Sequence, residues 1–372
     1  MDNEQARFFD SRAAYQMFTT ATNEKATVAV RLSGELSAIS PGPNALRIFD
    51  AGLGDASVLA QLMRSMHKRF THIPWLVVGK EISVGHLRQA LAEMPDRLFE
   101  HPEMVFVITN LHYEDAPTLT TTADKPSANW RQVALRGTTS HEFSRQIEDL
   151  FSDLVEDWAV RVSPLTGNPL YVRPSVLVVY RKDREFLLES VIPQPNGIES
   201  EYDLIVASQS YRSRTPTESK VRSVIAPLAR ALARGGRLIG VHSHGNDPGL
   251  EIIREIWPDE DPFPSSRHDI LNEAKAQLSQ SDLVFHEHDD SEALFRFELH
   301  AMPSGDTKHI GTSFVLATWN AAVYVAQMDE PRIVDAMSSG DYLRATQAII
   351  RKHGSIWFND ESFVISRNVE EG

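Results

Sequence analysis

Cysteine is absent from the 372 residues of the chain. Its absence excludes disulfide bonds, thiolate zinc sites, iron–sulfur clusters and a cysteine nucleophile. Long apolar runs are also missing, since none approaches the roughly 20 residues that a membrane-spanning helix needs. The opening residues, from Met1 to Glu4, lack the basic and then apolar pattern of a signal peptide. We therefore expect a cytoplasmic protein that has no membrane partner.

Basic residues are in the minority. The chain carries 37 Lys and Arg against 51 Asp and Glu, which gives a net charge of −14 with His neutral. Proteins that bind nucleic acid usually present a basic face, because neutralising phosphates supplies much of their affinity. The charge balance therefore argues against a nucleic-acid partner and favours a small-molecule substrate.

Segments with strand character alternate with segments of helical spacing. Short apolar runs at 46–49, 75–78 and 104–108 predict strands, and apolar residues at helical spacing in 57–70 and 84–94 predict the helices between them. The alternation resumes with an apolar run that begins at Tyr202. Such alternation is typical of parallel βαβ units. The sequence thus predicts an α/β fold built on a Rossmann-like sheet.

Two stretches interrupt the alternation and divide the chain into parts. We predict a helical cap over 1–45, a Rossmann-like core over 46–112 and 200–372, and an inserted α+β segment over 113–199 that serves as a lid. The alternative for the insertion is a surface or dimer element far from the cleft. Within the insertion, 176–180 and 186–191 flank a polar turn, which predicts a β-hairpin. The cap carries four aromatic residues that either close over a ligand or pack in its core: Phe8, Phe9, Tyr15 and Phe18.

The turn after the first predicted strand is the most informative motif. Asp50 ends the strand, and Gly52 and Gly54 lead into the next helix. Glycines suit a turn in which the backbone approaches a ligand, and a helix N-terminus beyond it supplies free N–H groups. Glu81 follows the second strand, where a carboxylate can accept hydrogen bonds from both hydroxyls of a ribose. A tight turn that binds nothing and an exposed loop acid are the structural alternatives. In either case we expect Glu81, at the tip of a strand, to be exposed.

Four segments, in this order, resemble motifs of the class I S-adenosylmethionine-dependent methyltransferases: 50–56, 78–83, 201–208 and 232–241. The resemblance implies a Rossmann-like methyltransferase fold with S-adenosyl-L-methionine as the cofactor. It also implies the residues that contact this cofactor, namely Asp50, Gly52, Gly54, Glu81, Ile82, Asn110, Ser208 and Gln209.

This sequence departs from the family pattern at two places. Ala56 stands where the third glycine of the first motif is expected. The Asn-Pro-Pro-Tyr motif that the family uses on amino groups of bases and glutamine is replaced by Ser208, Gln209, Ser210 and Tyr211. The second departure argues against methylation of a nucleobase or of glutamine. The resemblance therefore implies methyl transfer to a small-molecule acceptor.

Two other functions remain open from the residues alone. A nicotinamide-dependent oxidoreductase ranks second, because a carboxylate such as Asp50 repels a pyrophosphate and Ser57 takes the place of the last glycine of its motif. A module that binds S-adenosylmethionine without turnover is the third.

Candidate catalytic residues follow the fourth and fifth strands of the predicted sheet. The residues considered are Tyr211, His242 and His244, without an assigned role. No metal site is predicted, since the acidic and histidine-rich run at 286–290 lacks the helical spacing of a hydrolytic zinc site and is better explained as a solvated surface.

Overall fold

The computed structural model describes residues 12–122, 126–164, 169–195, 197–198, 201–278, 282–300 and 311–369. The strands are β1 Leu46–Asp50, β2 Trp75–Lys80, β3 Met104–Thr109, β4 Asn129–Leu135, β5 Val160–Val162, β6 Pro169–Tyr171, β7 Ser175–Arg181, β8 Tyr202–Ser208, β9 Leu232–Ser243, β10 Leu283–His286, β11 Leu294–Glu298 and β12 Trp357–Arg367.

The helices are α1 Arg12–Ala21, α2 Glu24–Glu35, α3 Ser57–Arg69, α4 Val84–Glu100, α5 Ser140–Glu148, α6 Phe151–Asp157, α7 Thr217–Lys220, α8 Ala226–Arg230, α9 Pro248–Ile256, α10 Arg267–Gln277, α11 Asp290–Ala293, α12 Thr312–Val325, α13 Glu330–Ser339 and α14 Asp341–His353. A π-helical turn, Val221–Ile225, joins α7 to α8, and short 3-10 turns form at Ala116–Thr118 and Lys182–Arg184. Within these described helices, none has the length and apolar character that a bilayer crossing requires.

The central sheet has the strand order β10-β12-β9-β8-β1-β2-β3-β7-β4, and β11 pairs with β12. The five strands from β3 to β9 in this order run parallel to one another. The predicted α/β class and Rossmann-like sheet are therefore confirmed. The chain order changes direction at β1, which lies between β2 and β8. In open α/β sheets, ligands bind at such a switch point, beyond the carboxyl ends of the strands.

One edge of the sheet differs from that of a dinucleotide-binding fold. There the sixth strand lies next to the fifth. Here β12 lies between β9 and β10 and is antiparallel to both. β12 has 11 residues, and its pairing with β9 places the polar residues Asp360 and Glu361 opposite Ser243 and His242 at the carboxyl end of β9.

Helices cover both faces of the parallel strands, so β2 and β3 are buried almost throughout. This double coverage explains why the predicted strands are continuous apolar runs. A third apolar cluster joins α1 to the C-terminal helices, where the Phe18 ring stacks on Tyr324 at 4.7 Å between centroids. Phe18 is therefore a core residue of the cap. Phe8 and Phe9 lie outside the described residues.

The inserted segment shares the main sheet. β7 pairs with β3 in antiparallel fashion, and β4 pairs with β7. The predicted hairpin is wrong: the chain after β7 turns repeatedly instead of forming a strand. In this segment Leu188 and Ile192 pack against a face of the sheet. The strand that β7 pairs with on its other side from β3 is β4, which precedes it by about 40 residues in the chain. The lid function of 113–199 stays a prediction.

Helix α4 extends beyond its predicted end. The sequence predicts a stop before Pro95, because proline lacks an N–H group and crowds the preceding turn. In the structure the helix continues to Glu100 with Pro95 inside it. Met94 and Leu98, on either side, are fully buried in the sheet core. Packing of this apolar face outweighs the local cost of the proline.

Candidate functional site

The turn between β1 and α3 follows a path that its glycines permit. A Cβ atom on Gly52 would lie 2.9 Å from the carbonyl oxygen of Ser208, so the turn touches the end of β8. Gly54 has a φ of +54°, in the left-handed region that glycine adopts readily. Ala56 also lies in that region, with a φ of 63°, at a cost of about 1–2 kcal/mol for a residue with a Cβ atom. The turn thus holds β1, β8 and α3 together.

Asp50 is a buried carboxylate at the switch point. Its side chain is 4% exposed, and Oδ1 accepts a hydrogen bond of 3.0 Å from the Gly52 N–H. Burial raises the pKa of Asp50 to about 6, the nearby Glu81 adds to the rise, and the Gly52 N–H and the positive charge of Lys25 oppose it. An ionised carboxylate in this position is incompletely compensated and favours a cationic ligand.

Glu81 lies at the tip of the neighbouring strand. Oε1 accepts a 2.7 Å hydrogen bond from the Ser83 N–H, and Oε2 lies 3.6 Å from His86 Nδ1. The expectation that this acid is exposed is wrong, because the residue is 8% exposed. It is enclosed by the N-terminus of α4 and by the insertion, whose Trp158 Nε1 donates to the Glu81 carbonyl oxygen at 2.8 Å. Ile82 follows it and is half-buried.

The helical cap reaches the turn through α1 and α2. Tyr15 Oη lies 3.3 Å from the position of a Cβ on Gly54, and burial raises the pKa of Tyr15 to about 12. Lys25 lies over the Tyr15 ring, 5.0 Å from its centroid. Burial alone lowers the pKa of Lys25, but the charges of Glu24 and Asp55 outweigh it and raise the pKa above its usual range. The cap therefore closes the turn with charged groups.

Tyr113, the first residue of the insertion, spans the crevice. Its hydroxyl donates to the Ser210 carbonyl oxygen at 2.9 Å, and Lys80 Nζ lies 4.5 Å from the centre of its ring. Burial raises the pKa of Tyr113, and the charges of Glu81 and Asp50 add to the rise. An aromatic ring thus lies within electrostatic reach of both strand-end carboxylates.

The other predicted contact residues have different surroundings. Both ends of the Asn110 amide are bonded to the insertion: Oδ1 accepts from the Ser175 N–H at 2.8 Å, and Nδ2 donates to the Arg173 carbonyl oxygen at 2.9 Å. The residue is 1% exposed, so these bonds anchor the insertion to the end of β3. Ser208 is half-buried at the end of β8, and Gln209 is exposed with a φ of 49°. Ser208 borders the Gly52 turn through its carbonyl oxygen, whereas Gln209 Nε2 donates to Ser243 Oγ of β9 at 3.3 Å.

The three candidate catalytic residues surround Glu361, a residue of β12. Tyr211 Oη lies 2.7 Å from His242 Nδ1, and His242 Nε2 lies 2.8 Å from Glu361 Oε1. His244 Nδ1 lies 3.4 Å from the other oxygen, Oε2, and Arg267 also contacts this carboxylate. The structure therefore brings Tyr211, His242 and His244 together. Within the described ranges, no group of three or more His, Asp or Glu residues has the arrangement of a metal site.

Sequence reasoning missed the groups that complete these arrangements. Glu361 lies 119 residues from His242, and Trp158 lies 77 residues from Glu81. Lys25 and Tyr113 belong to segments that carry no motif. The only available signal is the burial of charge: an acid such as Glu361 inside an apolar strand pattern needs a partner.

The buried polar atoms around the Gly52 turn suit a cationic amino acid. Among the described residues, Glu24 Oε2 is buried without a hydrogen bond, and it forms an ion pair with Lys25 Nζ at 3.8 Å. Three carboxylates, those of Glu24, Asp50 and Asp55, share the single ammonium group of Lys25 as a nearby positive charge. The surplus of carboxylates fits the methionine part of S-adenosylmethionine, and Glu81 Oε2, which lies 3.6 Å from His86 Nδ1 and so beyond hydrogen-bond distance, fits a ribose hydroxyl.

No protein family model matches the chain. No curated protein matches it by sequence either. Among solved structures, it is similar to the [4+2]-cyclase SpnF, with 9% identity, 98% of each chain covered and a TM-score of 0.38. It is also similar to a protein described as a sarcosine dimethylglycine methyltransferase from Galdieria sulphuraria, with 9% identity, 91% of this chain and 84% of that one covered, and a TM-score of 0.35.

A third similar structure is geranyl diphosphate methyltransferase in complex with GPP and sinefungin, with 11% identity, 92% of this chain and 77% of that one covered, and a TM-score of 0.35. Because these TM-scores lie below 0.5, the fold assignment rests on the strand order and register of this chain. Solved structures to which the chain is similar thus include S-adenosylmethionine-dependent methyltransferases of class I, the family that its sequence motifs indicate.

Proposed function

We propose that this protein is a methyltransferase that transfers a methyl group from S-adenosyl-L-methionine to a small-molecule acceptor. One observation carries the proposal: two buried carboxylates, Asp50 and Glu81, lie at the carboxyl ends of adjacent parallel strands on either side of a glycine turn. This is the switch point of the sheet, where ligands bind in open α/β folds.

Each group has a role in this proposal. Glu81 binds the ribose hydroxyls through Oε2, because Oε1 already accepts the Ser83 N–H. Asp50 and the acids of the cap bind the cationic methionine part. When bound, the cofactor supplies a methyl group on a positively charged sulfur. The protein then contributes mainly by holding the acceptor in line with this group and excluding water.

The small size of the acceptor is inferred from charge and enclosure. A net charge of −14 disfavours a phosphate-rich partner, and cap and insertion both close on the crevice through Tyr15 and Tyr113. The cytoplasmic location stays a prediction from the sequence.

A nicotinamide-dependent oxidoreductase fits the site less well. Asp50 and Asp55 place two carboxylates at the turn where a pyrophosphate would lie. The displaced sixth strand also departs from the dinucleotide-binding sheet. A module that binds S-adenosylmethionine without turnover would use the same crevice. Only the detection of a methylated product distinguishes the enzyme from such a module.

Calorimetry with the full chain tests the cofactor. We expect S-adenosylhomocysteine to bind and NAD and NADP to give no heat of binding. Mass detection of a methylated product after incubation with S-adenosylmethionine and cell extract separates the enzyme from a binding module. Binding of NAD without any response to S-adenosylhomocysteine would refute the methyltransferase proposal.

Replacement of Glu81 by Ala is expected to weaken S-adenosylhomocysteine binding by about 1.5–3 kcal/mol, the contribution of a hydrogen bond to a charged group. Because Glu81 is buried and accepts the Ser83 N–H, the variant also loses stability. Glu81→Gln keeps an oxygen that can accept the Ser83 N–H. It therefore distinguishes the effect of Glu81 on ligand affinity from its effect on stability. Glu93→Gln, at an exposed position of α4, is the matched control. Calorimetry and thermal unfolding measure both effects, and unchanged affinity in folded Glu81→Ala would place the ribose elsewhere.

A further inference from the structure

Tyr211, His242 and Glu361 form a connected chain of hydrogen bonds. His242 Nε2 faces Glu361 Oε1 at 2.8 Å, and its Nδ1 faces the Tyr211 hydroxyl at 2.7 Å. The His242 and His244 rings hold the pKa of Glu361 well below its usual range although burial opposes them, so the carboxylate is ionised. An ionised carboxylate accepts a hydrogen bond from Nε2–H, which leaves the Nδ1 lone pair to accept a hydrogen bond from the Tyr211 hydroxyl. The network therefore orients His242 to receive the Tyr211 proton.

Tyr211 lines a small cavity near the proposed cofactor crevice. The cavity has room for about one water-sized group, such as a hydroxyl, and is partly open to solvent. Its lining includes Gln209, Tyr211, Ser213, Lys220, His242 and Ser265. It lies at the carboxyl ends of β8 and β9, and Gln209 directly follows Ser208, whose carbonyl oxygen the Gly52 turn approaches. A group that enters this cavity thus comes close to the cofactor side of the sheet.

Lys220 adds a basic group to the same cavity. Its Nζ donates to the Ser213 carbonyl oxygen at 2.7 Å and to Ser265 Oγ at 3.0 Å, and it lies 5.3 Å from the centre of the Tyr211 ring. Burial lowers the pKa of Lys220 to about 8, partly offset by the charges of Asp269 and Glu361. A cation near this ring favours negative charge on an oxygen in the cavity.

We propose that the methyl acceptor is a hydroxyl compound and that Tyr211 removes its proton. Tyr211 passes its own proton to His242, and Glu361 holds the His242 ring in position. This inference rests on the proposed function, because it assigns the acceptor side of the same site. Tyr211 is the catalytic residue of the group. His242 and Glu361 are positioning residues, which act through it.

The proton transfer balances without a further reactant. The acceptor oxygen bonds to the methyl carbon as the carbon–sulfur bond breaks and sulfur retains the electron pair. The acceptor proton moves to Tyr211 Oη, while the Tyr211 proton moves to His242 Nδ1. The imidazolium that results is stabilised by Glu361 and later returns its proton to solvent. Because burial raises the pKa of Tyr211, the phenol stays protonated at rest and accepts a proton only as it donates its own.

The arrangement has the logic of a hydroxyl–histidine–carboxylate triad, in which the carboxylate fixes the tautomer of the imidazole. A thiol that is already ionised needs no such relay. The proposal is therefore tested by comparing oxygen and sulfur acceptors, a comparison that a purely structural role of Tyr211 would not affect.

The experiment uses the full chain with S-adenosylmethionine and four probes: phenol, catechol, benzyl alcohol and thiophenol at pH 8. We expect wild-type protein to methylate at least one hydroxyl probe. Tyr211→Phe is expected to lower that rate about 10²–10⁴-fold, the usual contribution of general acid–base catalysis, and to change thiophenol methylation less than threefold. Glu361→Gln is expected to act in the same direction through His242. Tyr180→Phe, a buried tyrosine whose hydroxyl contacts Glu185, is the control.

S-adenosylhomocysteine binding and thermal unfolding are measured on every variant. Equal losses with oxygen and sulfur acceptors in a folded Tyr211→Phe that binds S-adenosylhomocysteine would overturn the relay. Wild-type protein that binds S-adenosylhomocysteine but methylates none of the hydroxyl probes would overturn the acceptor class. Absence of S-adenosylhomocysteine binding in the wild type would refute the proposed function itself, so the two failures are distinguishable.

Discussion

Asp50→Asn is expected to stabilise the folded protein near pH 8 and to abolish the binding of S-adenosylhomocysteine. Burial, together with the charge of Glu81, raises the pKa of Asp50 from 3.8 to about 6 against the opposing effects of Gly52 and Lys25. One pKa unit corresponds to about 1.4 kcal/mol, so the ionised carboxylate costs the fold about 3 kcal/mol. The neutral amide removes this cost and keeps an oxygen for the Gly52 N–H. It loses the negative charge that the cationic ligand needs.

The cost of ionised Asp50 to the stability of the fold depends on pH. Because the pKa of Asp50 is higher in the folded state, the unfolded chain ionises first as the pH rises. The cost is therefore absent below the unfolded pKa of 3.8, grows up to the folded value of about 6 and is constant above it. The stability difference between Asp50→Asn and wild type should shrink as the pH falls through this interval. Urea unfolding at several pH values measures the difference.

Asp55→Asn is the matched control, because it should have the opposite effect on stability. Burial raises the pKa of Asp55, but the charge of Lys25 and hydrogen bonds from Ser57 outweigh burial and lower it. Ionised Asp55 thus stabilises the fold, and its replacement should destabilise it. Calorimetry on both variants completes the test. If Asp50→Asn retained the affinity of the wild type for S-adenosylhomocysteine, the cation-binding site would lie elsewhere.

Trp158→Ala is expected to lower the free energy of unfolding by about 3–5 kcal/mol, the usual cost of removing a large buried aromatic side chain. Trp158 is 2% exposed and packs in the core cluster that contains Phe143 and Leu154 of the insertion and Leu98 of α4. Its Nε1 also donates to the Glu81 carbonyl oxygen. The variant should therefore weaken both the fold and the cofactor crevice. Thermal and urea unfolding measure the first effect.

Trp158→Phe separates packing from the hydrogen bond. It keeps an aromatic ring but leaves the Glu81 carbonyl oxygen without the indole donor, which is expected to cost about 1–3 kcal/mol and to weaken S-adenosylhomocysteine binding through Glu81. Trp130→Phe is the control in the same insertion, since Trp130 Nε1 has no hydrogen-bond partner among the described residues. Equal affinities in the two variants would show that the insertion does not support the crevice through Trp158.

The local elements of the core follow from the sequence alone. Three apolar runs with a helical pattern after each of the first two predict β1, β2 and β3 and the helices between them, because strand and helix periodicities are read within a few residues. The glycine turn is local in the same way: Gly54 needs its left-handed φ wherever the rest of the chain lies. The resemblance to methyltransferase motifs likewise depends on short segments in a fixed order.

The contacts that give the candidate site its chemistry depend on tertiary structure. Glu361 reaches His242 only because β12 pairs with β9, and this pairing places residues more than a hundred positions apart opposite each other. Burial of Glu81 likewise requires Trp158 from the insertion, so a strand-end acid that looks exposed in the sequence becomes enclosed.

The two wrong predictions of secondary structure have the same origin. The segment after β7 has the pattern of a second hairpin strand, but β7 pairs with β3 and β4, and the segment packs on the face of the sheet instead. Pro95 signals a helix end, but burial of Met94 and Leu98 carries α4 past it. Sequence periodicity determines which residues become apolar strands and helices. Hydrogen-bond partners between distant strands, and the burial that follows from them, are decided only when the sheet assembles, because their free energy comes from contacts that no local pattern encodes.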